Sequence, residues 1–198
     1  MSVAIVGTGA NLASLQFALE RQGAESTVTL DAERIRAASH VILPGVGAAA
    51  PAMARLREGG LDRVIPELRQ PVLGICLGMQ LLFETSEEGD VECLGVLPGH
   101  VARLSAMPHR PVPHMGWNTL ERVRESALLE GIEPGDSVYF VHSYAVGVGE
   151  EATAAAEYGT RFTACAEREN FFGVQFHPER SGTVGARVLA NFLGLTCS

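Results

Sequence analysis

Short, largely apolar runs recur through the first eighty residues, at 3–6, 28–30, 40–43 and 72–75, the first of them unbroken. A strand covered on both faces reads this way, whereas a strand with one wet face alternates. Helical spacing fills the gaps. Leu12, Leu15, Ala18 and Leu19 fall on one face, with Asn11 as the expected cap and Gly23 as the expected stop. Helical patterns follow over 53–57 and 61–68. This alternation predicts an α/β fold, an open and mostly parallel sheet with helices on both faces. Loops at the C-terminal ends of the strands then carry the site, and both the 44–47 loop and Cys76 lie at such ends.

The texture changes after about Gly89. Shorter alternating runs at 101–104, 119–123, 138–141, 153–157 and 162–166 are separated by Gly and Pro, with a Pro-rich connection over 108–113. They read as an antiparallel extension of the same sheet, followed by a terminal amphipathic helix over 183–193. A chain of 198 residues, 46% hydrophobic, can build one substantial core, so one domain is expected over 1–198.

Charge and cysteine usage narrow the classes. The formal net charge is −8 and no basic run occurs, which argues against a nucleic-acid partner. Cys76, Cys93, Cys165 and Cys197 form no Cys-x-x-Cys pair. His40, His100, His109, His114 and His142 show no i, i+4 pairing with an acidic companion, so neither a metal nor a cofactor is expected. Gly7-Thr8-Gly9 has Leu12 where a dinucleotide loop needs its third glycine, and no Walker lysine follows, so it reads as a plain strand–helix turn. No run is long enough to span a bilayer and the start lacks a basic n-region. The expected setting is cytoplasmic, with reduced thiols.

Two segments carry the chemistry. Gly74-Ile75-Cys76-Leu77-Gly78 follows an apolar run and precedes a helical one, the form of a nucleophile elbow with cysteine as nucleophile. Such a turn forces the nucleophile into a strained conformation. It sets Cys76 at a helix start, which favours the thiolate, and aims the Leu77 N–H at a developing oxyanion. About a hundred residues later, Phe176-His177-Pro178-Glu179 follows the apolar run 171–175. His177 sits at the end of that strand, and Glu179 can reach back to its imidazole. Nucleophile, base and orienting carboxylate are sufficient for acyl transfer through a thioester.

These segments resemble the class I, triad-type glutamine amidotransferases. With Pro44-Gly45-Val46-Gly47, Pro113-His114-Met115-Gly116-Trp117-Asn118 and Tyr139-Phe140-Val141-His142-Ser143-Tyr144, the chain is similar end to end to the glutaminase subunits of imidazole glycerol phosphate synthase. The resemblance implies that Cys76, His177 and Glu179 hydrolyse glutamine to glutamate and ammonia. It implies a second oxyanion donor from the stretch of Val46 and Gly47, with Gly45 and Gly47 permitting a peptide flip or simply making a tight turn. It also implies that Gln80 contacts substrate and that the backbone at Ser143 and Tyr144 binds the amino-acid end, with His142 on the wall. The implied partner is a (β/α)₈ cyclase subunit, in a heterodimer that makes imidazole glycerol phosphate and an aminoimidazole carboxamide ribotide for histidine biosynthesis. His114, Met115, Trp117 and Asn118 are its implied contact, although a single tryptophan is otherwise more often core.

Three positions depart from the family pattern. Gly7 stands where many relatives are acidic, Ala49 lies in an alanine run where relatives are bulkier, and Ala145 replaces a frequent aromatic. None belongs to the triad. The alternatives at this point are the glutaminase of another synthase, such as one serving pyridoxal phosphate synthesis, a free-standing Cys–His amidase, and an inactive regulatory subunit.

Overall fold

The computed structural model describes residues 2–7 and 12–196. Its first strand, β1 (Ser2–Val6), sends Val3 and Ile5 to one apolar cluster and Ala4 and Val6 to another. A strand sandwiched between two cores needs apolar residues at every position, which explains its unbroken run. Helix α1 (Ala13–Arg21) buries Leu15, Ala18 and Leu19, and Gly23 follows with φ +75°. Asn11 lies outside the described residues; the helix begins after Leu12 without a side-chain cap. Thr8 and Gly9 of the first turn also lie outside them, as does Cys197. Strand β2 (Glu25–Thr29) starts before the expected 28–30 and pairs along the whole of β1.

Helix α2 (Ala32–Ala37) has no counterpart in the sequence reading. It is too short to show a period, and only Ile35 is buried. Its signal is the cap: Asp31 Oδ1 accepts the N–H groups of Glu33 and Arg34 at 2.9 and 3.3 Å. Next come β3 (His40–Leu43), α3 (Ala49–Glu58) and α4 (Leu61–Val64), which tightens into a 3-10 turn at Ile65–Glu67. Then β4 (Val72–Ile75) leads into α5 (Leu77–Leu82).

The second half contributes β5 (Thr85–Ser86), β6 (Val91–Glu92), β7 (His100–Arg103), β8 (His114–Thr119) and β9 (Glu121–Arg122). After them come β10 (Ser137–His142), β11 (Tyr144–Val146), β12 (Ala152–Tyr158), β13 (Thr160–Arg168), β14 (Phe171–Val174) and α6 (Gly182–Gly194). The main sheet has the order β2-β1-β3-β4-β14-β13-β12-β9. Its first five strands run parallel, and β13, β12 and β9 form the antiparallel extension.

Two of the anticipated runs leave that sheet. The run at 138–141 becomes β10, which pairs only with β8, and the run at 101–104 becomes β7 in a four-stranded sheet ordered β11-β7-β5-β6. The cause lies in their faces. Along β10, Val138, Phe140 and His142 turn inward, so the strand lies over the core cluster of Ile75 and Phe176 and does not extend an edge. The run at 119–123 breaks at buried Leu120, separating β8 from β9. Phe140, Phe162, Phe176 and Phe192 are almost fully enclosed in this cluster. Each contributes roughly 1.5–3 kcal/mol of transfer free energy.

Candidate active site

The β4–α5 junction leaves little room. Cys76 adopts φ 54° and ψ −112°, a region that a residue with a side chain occupies at a cost of about 1–3 kcal/mol. The turn stays closed because glycines flank it. A Cβ on Gly78 would lie 1.7 Å from the Leu43 carbonyl oxygen, and one on Gly74 would lie 2.7 Å from the Gly78 oxygen and the Met79 backbone. The Cys76 N–H donates to the Val174 carbonyl at 2.8 Å, which ties the elbow to β14.

His177 stands three residues beyond the end of β14, not at the strand end itself. After Val174 the backbone leaves the ladder, and the His177 N–H donates to the Tyr139 carbonyl of β10 at 3.0 Å. Glu179 lies in the 3-10 turn Pro178–Arg180, with its Oε1 2.9 Å from His177 Nδ1. Ser181 fastens this turn to β10. Its hydroxyl donates to the His177 carbonyl at 2.7 Å and accepts the Tyr139 N–H at 2.9 Å. Burial pulls the imidazole towards its neutral form. Hydrogen bonds and charge from Cys76 and Glu179 outweigh that pull and raise its pKa to about 10.

A cavity of about 260 Å³ opens in front of this pair. Gly45, Val46, Gly47, Cys76, Leu77, Gln80, Ser143, Tyr144 and His177 all line it, so these sequence-predicted residues meet in one place. Glu179 stands behind His177. The two loop glycines differ. A Cβ on Gly45 would fall 2.7 Å from Leu77 Cβ and 2.8 Å from the Gly78 nitrogen, so Gly45 is a close approach. Gly47 has open space around it and φ +96°, so there the need is conformational. Gln80 is a buried residue, not a surface one: its amide donates to the Tyr144 carbonyl at 2.8 Å and to Gln175 Oε1 at 3.0 Å. The Gln175 amide donates in turn to Cys76 Sγ at 3.8 Å.

Four wall residues escaped assignment from sequence or were left without a role: Glu88, Pro113, Val141 and His142. Val141 offers its carbonyl to the Cys76 thiol at 3.7 Å. Glu88 accepts the Ala49 N–H at 3.0 Å, while the Ala49 side chain is buried in the second apolar cluster. Burial raises the Glu88 carboxyl above its ordinary range, with the Ala49 N–H opposing. The available sequence signal was its place, twelve residues after Cys76 in a turn closed by Gly89. Ala145 is buried in β11 opposite Ala102 and does not line the cavity.

The implied contact residues divide by face. Met115 and Trp117 project outward, 62% and 59% exposed, whereas His114 is buried and Asn118 half-buried with its amide on the Glu157 carbonyl at 2.9 Å. Alternation along β8 causes the split, so Met115 and Trp117 are open to a partner while His114 faces inward. Across the ribbon, Trp117 pairs with Tyr139 at 6.0 Å between ring centroids, and the Arg180 guanidinium sits 4.8 Å from the Tyr139 ring centroid. Among the described residues, no cluster of three or more His, Cys, Asp or Glu side chains is disposed to hold a metal ion. No helix among them is long and apolar enough to cross a membrane.

Comparison with known proteins places this geometry. The family model described as glutamine amidotransferase class-I matches residues 10–195. The imidazole glycerol phosphate synthase subunit HisH of Xanthomonas campestris pv. campestris (strain 8004) is 54% identical over 188 residues, covering 95% of this chain and 94% of that protein. The subunit of the same name from Xylella fastidiosa strain Temecula1 is 54% identical over 185 residues, covering 93% and 92%. Among solved structures, a crystal structure described as a glutamine amidotransferase aligns with a TM-score of 0.75 at 21% identity, covering 97% of both chains. A putative GMP synthase component from Thermoplasma acidophilum also gives a TM-score of 0.75, at 17% identity over 98% of this chain and 92% of that one. At those identities the structures speak for the fold.

Proposed function

Because the chain belongs to the class-I glutamine amidotransferases, we propose that Cys76, His177 and Glu179 release ammonia from glutamine inside the cavity they border. The enzyme is the glutaminase subunit of imidazole glycerol phosphate synthase, in histidine biosynthesis. It works as one domain over its 198 residues, in the cytoplasm, where Cys76 stays reduced. The observation that carries the assignment of roles is the shared lining. Nucleophile, base, oxyanion loop and substrate wall face one space of about 260 Å³, which is small enough to suit a single amino acid.

The thiol proton passes to His177, and a raised imidazole pKa is the bias that this transfer requires. The Cys76 thiolate attacks the side-chain amide carbon of glutamine. Charge on the amide oxygen is met by the Leu77 N–H and by an N–H of the 46–47 stretch, each donor worth about a hundredfold or more in rate. His177 returns its proton to departing ammonia. It then takes a proton from water, which attacks the thioester and frees glutamate. Glu179 keeps the imidazole oriented throughout. Glu88 receives the α-ammonium of the substrate, while the backbone at Ser143 and Tyr144 holds its carboxylate end.

Released ammonia is useful only if it reaches its acceptor before water protonates it, so a docked cyclase subunit is required. The exposed face of Met115 and Trp117 supports that contact. Its strand starts directly after Pro113, which lines the cavity. The 46–47 peptide completes the oxyanion hole by rotating when the partner docks. Gly47→Ala tests this, because Gly45→Ala would collide with Leu77 and report packing instead.

The defining experiment measures glutamate release from glutamine by the chain alone and with the ribotide ligand and cognate cyclase subunit, with Cys76→Ala as control. Strong stimulation lost in the alanine variant is expected. Robust turnover without a partner would replace this reading with a free-standing amidase.

A further inference from the structure

A chain of side-chain hydrogen bonds runs from the cavity to strand β8, and nothing in the reaction above uses it. Tyr144 offers its carbonyl to His142 Nδ1 at 2.8 Å as well as to the Gln80 amide. His142 Nε2 lies 3.0 Å from His114 Nδ1, and His114 Nε2 lies 3.5 Å from the Asn118 amide nitrogen. The two histidines are direct cross-strand partners in the β8–β10 ribbon.

The sense of every bond is fixed from both ends. A carbonyl cannot donate, so His142 must carry its proton on Nδ1 and present Nε2 as an acceptor. His114 must then donate from Nδ1 and accept at Nε2. At the other end, the Thr119 N–H donates to Asn118 Oδ1 at 2.8 Å, so the amide turns its NH₂ towards His114 and the Glu157 carbonyl. Each imidazole therefore has one tautomer and no net charge. The environment agrees: burial lowers both pKa values, His114 to about 4 and His142 to about 3. His114 also stacks on Phe140 and Tyr158, with centroids at 4.9 and 4.0 Å, which holds its plane.

We propose that His114 and His142 are positioning residues for the glutaminase reaction: a fixed-tautomer pair that sets the Tyr144 carbonyl and, through Gln80 and Gln175, holds the substrate wall and the Cys76 thiol in register with strand β8. The proposal rests on the roles given above to Cys76 and Gln80. The physical link is directional. Tyr144 accepts two donors, Gln80 has both amide protons engaged, and Gln175 completes the path to Sγ. A displacement of β8, whose outer side bears Met115 and Trp117, therefore acts on the pocket through aligned bonds as well as through packing.

The test compares His142→Leu and His114→Leu with His142→Asn and His114→Asn. An asparagine amide nitrogen overlies the imidazole Nδ1, so these variants keep the one donor that the relay needs. Two readouts are taken: glutamine KM and kcat in the complex with the cyclase subunit, and the rate at which iodoacetamide alkylates Cys76 in the chain alone, followed by mass spectrometry of the Cys76 peptide. Loss of one buried hydrogen bond predicts about a tenfold rise in KM for His142→Leu, about threefold for His114→Leu, and recovery to within about twofold in both asparagine variants. Alkylation is expected to change about threefold in the leucine variants alone.

Wild-type KM and alkylation in the leucine variants would overturn the proposal. So would equal damage from leucine and asparagine, which is the signature of a fold defect. If the wild-type complex shows no glutaminase activity while alkylation follows the predicted order, the reaction assigned above fails and the relay stands.

Discussion

Two histidines face the same cavity and are buried alike, His177 at 7% and His142 at 5% exposure, yet their protonation is driven in opposite directions. For both, burial is the largest influence and favours the neutral ring. On the His177 side, Cys76 and Glu179 reverse it and carry the pKa to about 10. On the His142 side, the Tyr144 carbonyl offers only a neutral acceptor, while His114 and His177 add repulsion, and the pKa falls to about 3. Burial therefore assigns no role. A buried imidazole handles protons where an ionisable partner returns its charge, and holds geometry where its partners are neutral.

The largest effect should come from breaking that contrast at Glu179. Glu179→Gln keeps the shape and removes the charge, leaving His177 with burial less opposed, as at His142. Partner-stimulated glutamate release is expected to fall about 10²–10⁴-fold, by analogy with the orienting carboxylate of serine hydrolases. Histidine NMR should show the His177 titration moving down from about 10. A loss of less than about tenfold would mean that the carboxylate does not orient the base.

The meeting of Cys76, His177 and Glu179 was legible in the sequence because its demands are local. The elbow needs glycines at positions 74 and 78 whatever surrounds it, and the His177–Glu179 pair is two residues apart. The inner parallel strands β1, β3, β4 and β14 are buried on both faces and carry short apolar runs, whereas the edge strand β2 is largely exposed and its start was missed. Strand β8 inverts the usual signal, with Met115 and Trp117 outside and His114 inside, so its pattern points to the wrong face. Which sheet a short strand joins depends on distant partners: β7 pairs with β11, some forty residues on, and no local periodicity encodes that choice. Glu88 was hidden for the same reason, since its carboxylate meets the N–H of Ala49, 39 residues earlier.

Glu88 sharpens the comparison, because it is the carboxylate on the cavity wall and lies on the burial-dominated side of it. Its pKa is raised by burial, and among the described residues no lysine, arginine or histidine lines the cavity beside it except the two histidines. A substrate ammonium would supply the missing charge. Glu88→Gln is expected to raise the glutamine KM about tenfold while kcat changes by less than about threefold. An equal fall in kcat with KM unchanged would place Glu88 in the transition state, and the assignment to the α-ammonium would be withdrawn.

The smallest effect is on stability, where the two histidine environments should tilt opposite limbs of one pH profile. His142 and His114 have folded pKa values of about 3 and 4, below the ordinary 6.5. Between that value and those, the unfolded chain binds protons that the folded chain refuses, so stability falls as pH drops from about 6.5. His177 is the reverse. Between 6.5 and about 10 the folded chain holds a proton that the unfolded chain releases, so its contribution is complete below 6.5 and is lost as pH rises towards 10. Thermal melts of wild type, His142→Asn and His177→Asn across this range separate the two. The first variant should flatten the acid limb and the second the alkaline limb, each kcal/mol moving the midpoint by about 2–4 °C. If His142→Asn leaves the acid slope unchanged, His114 and the carboxylates govern that limb, and His142 does not enter the folded chain as a neutral ring.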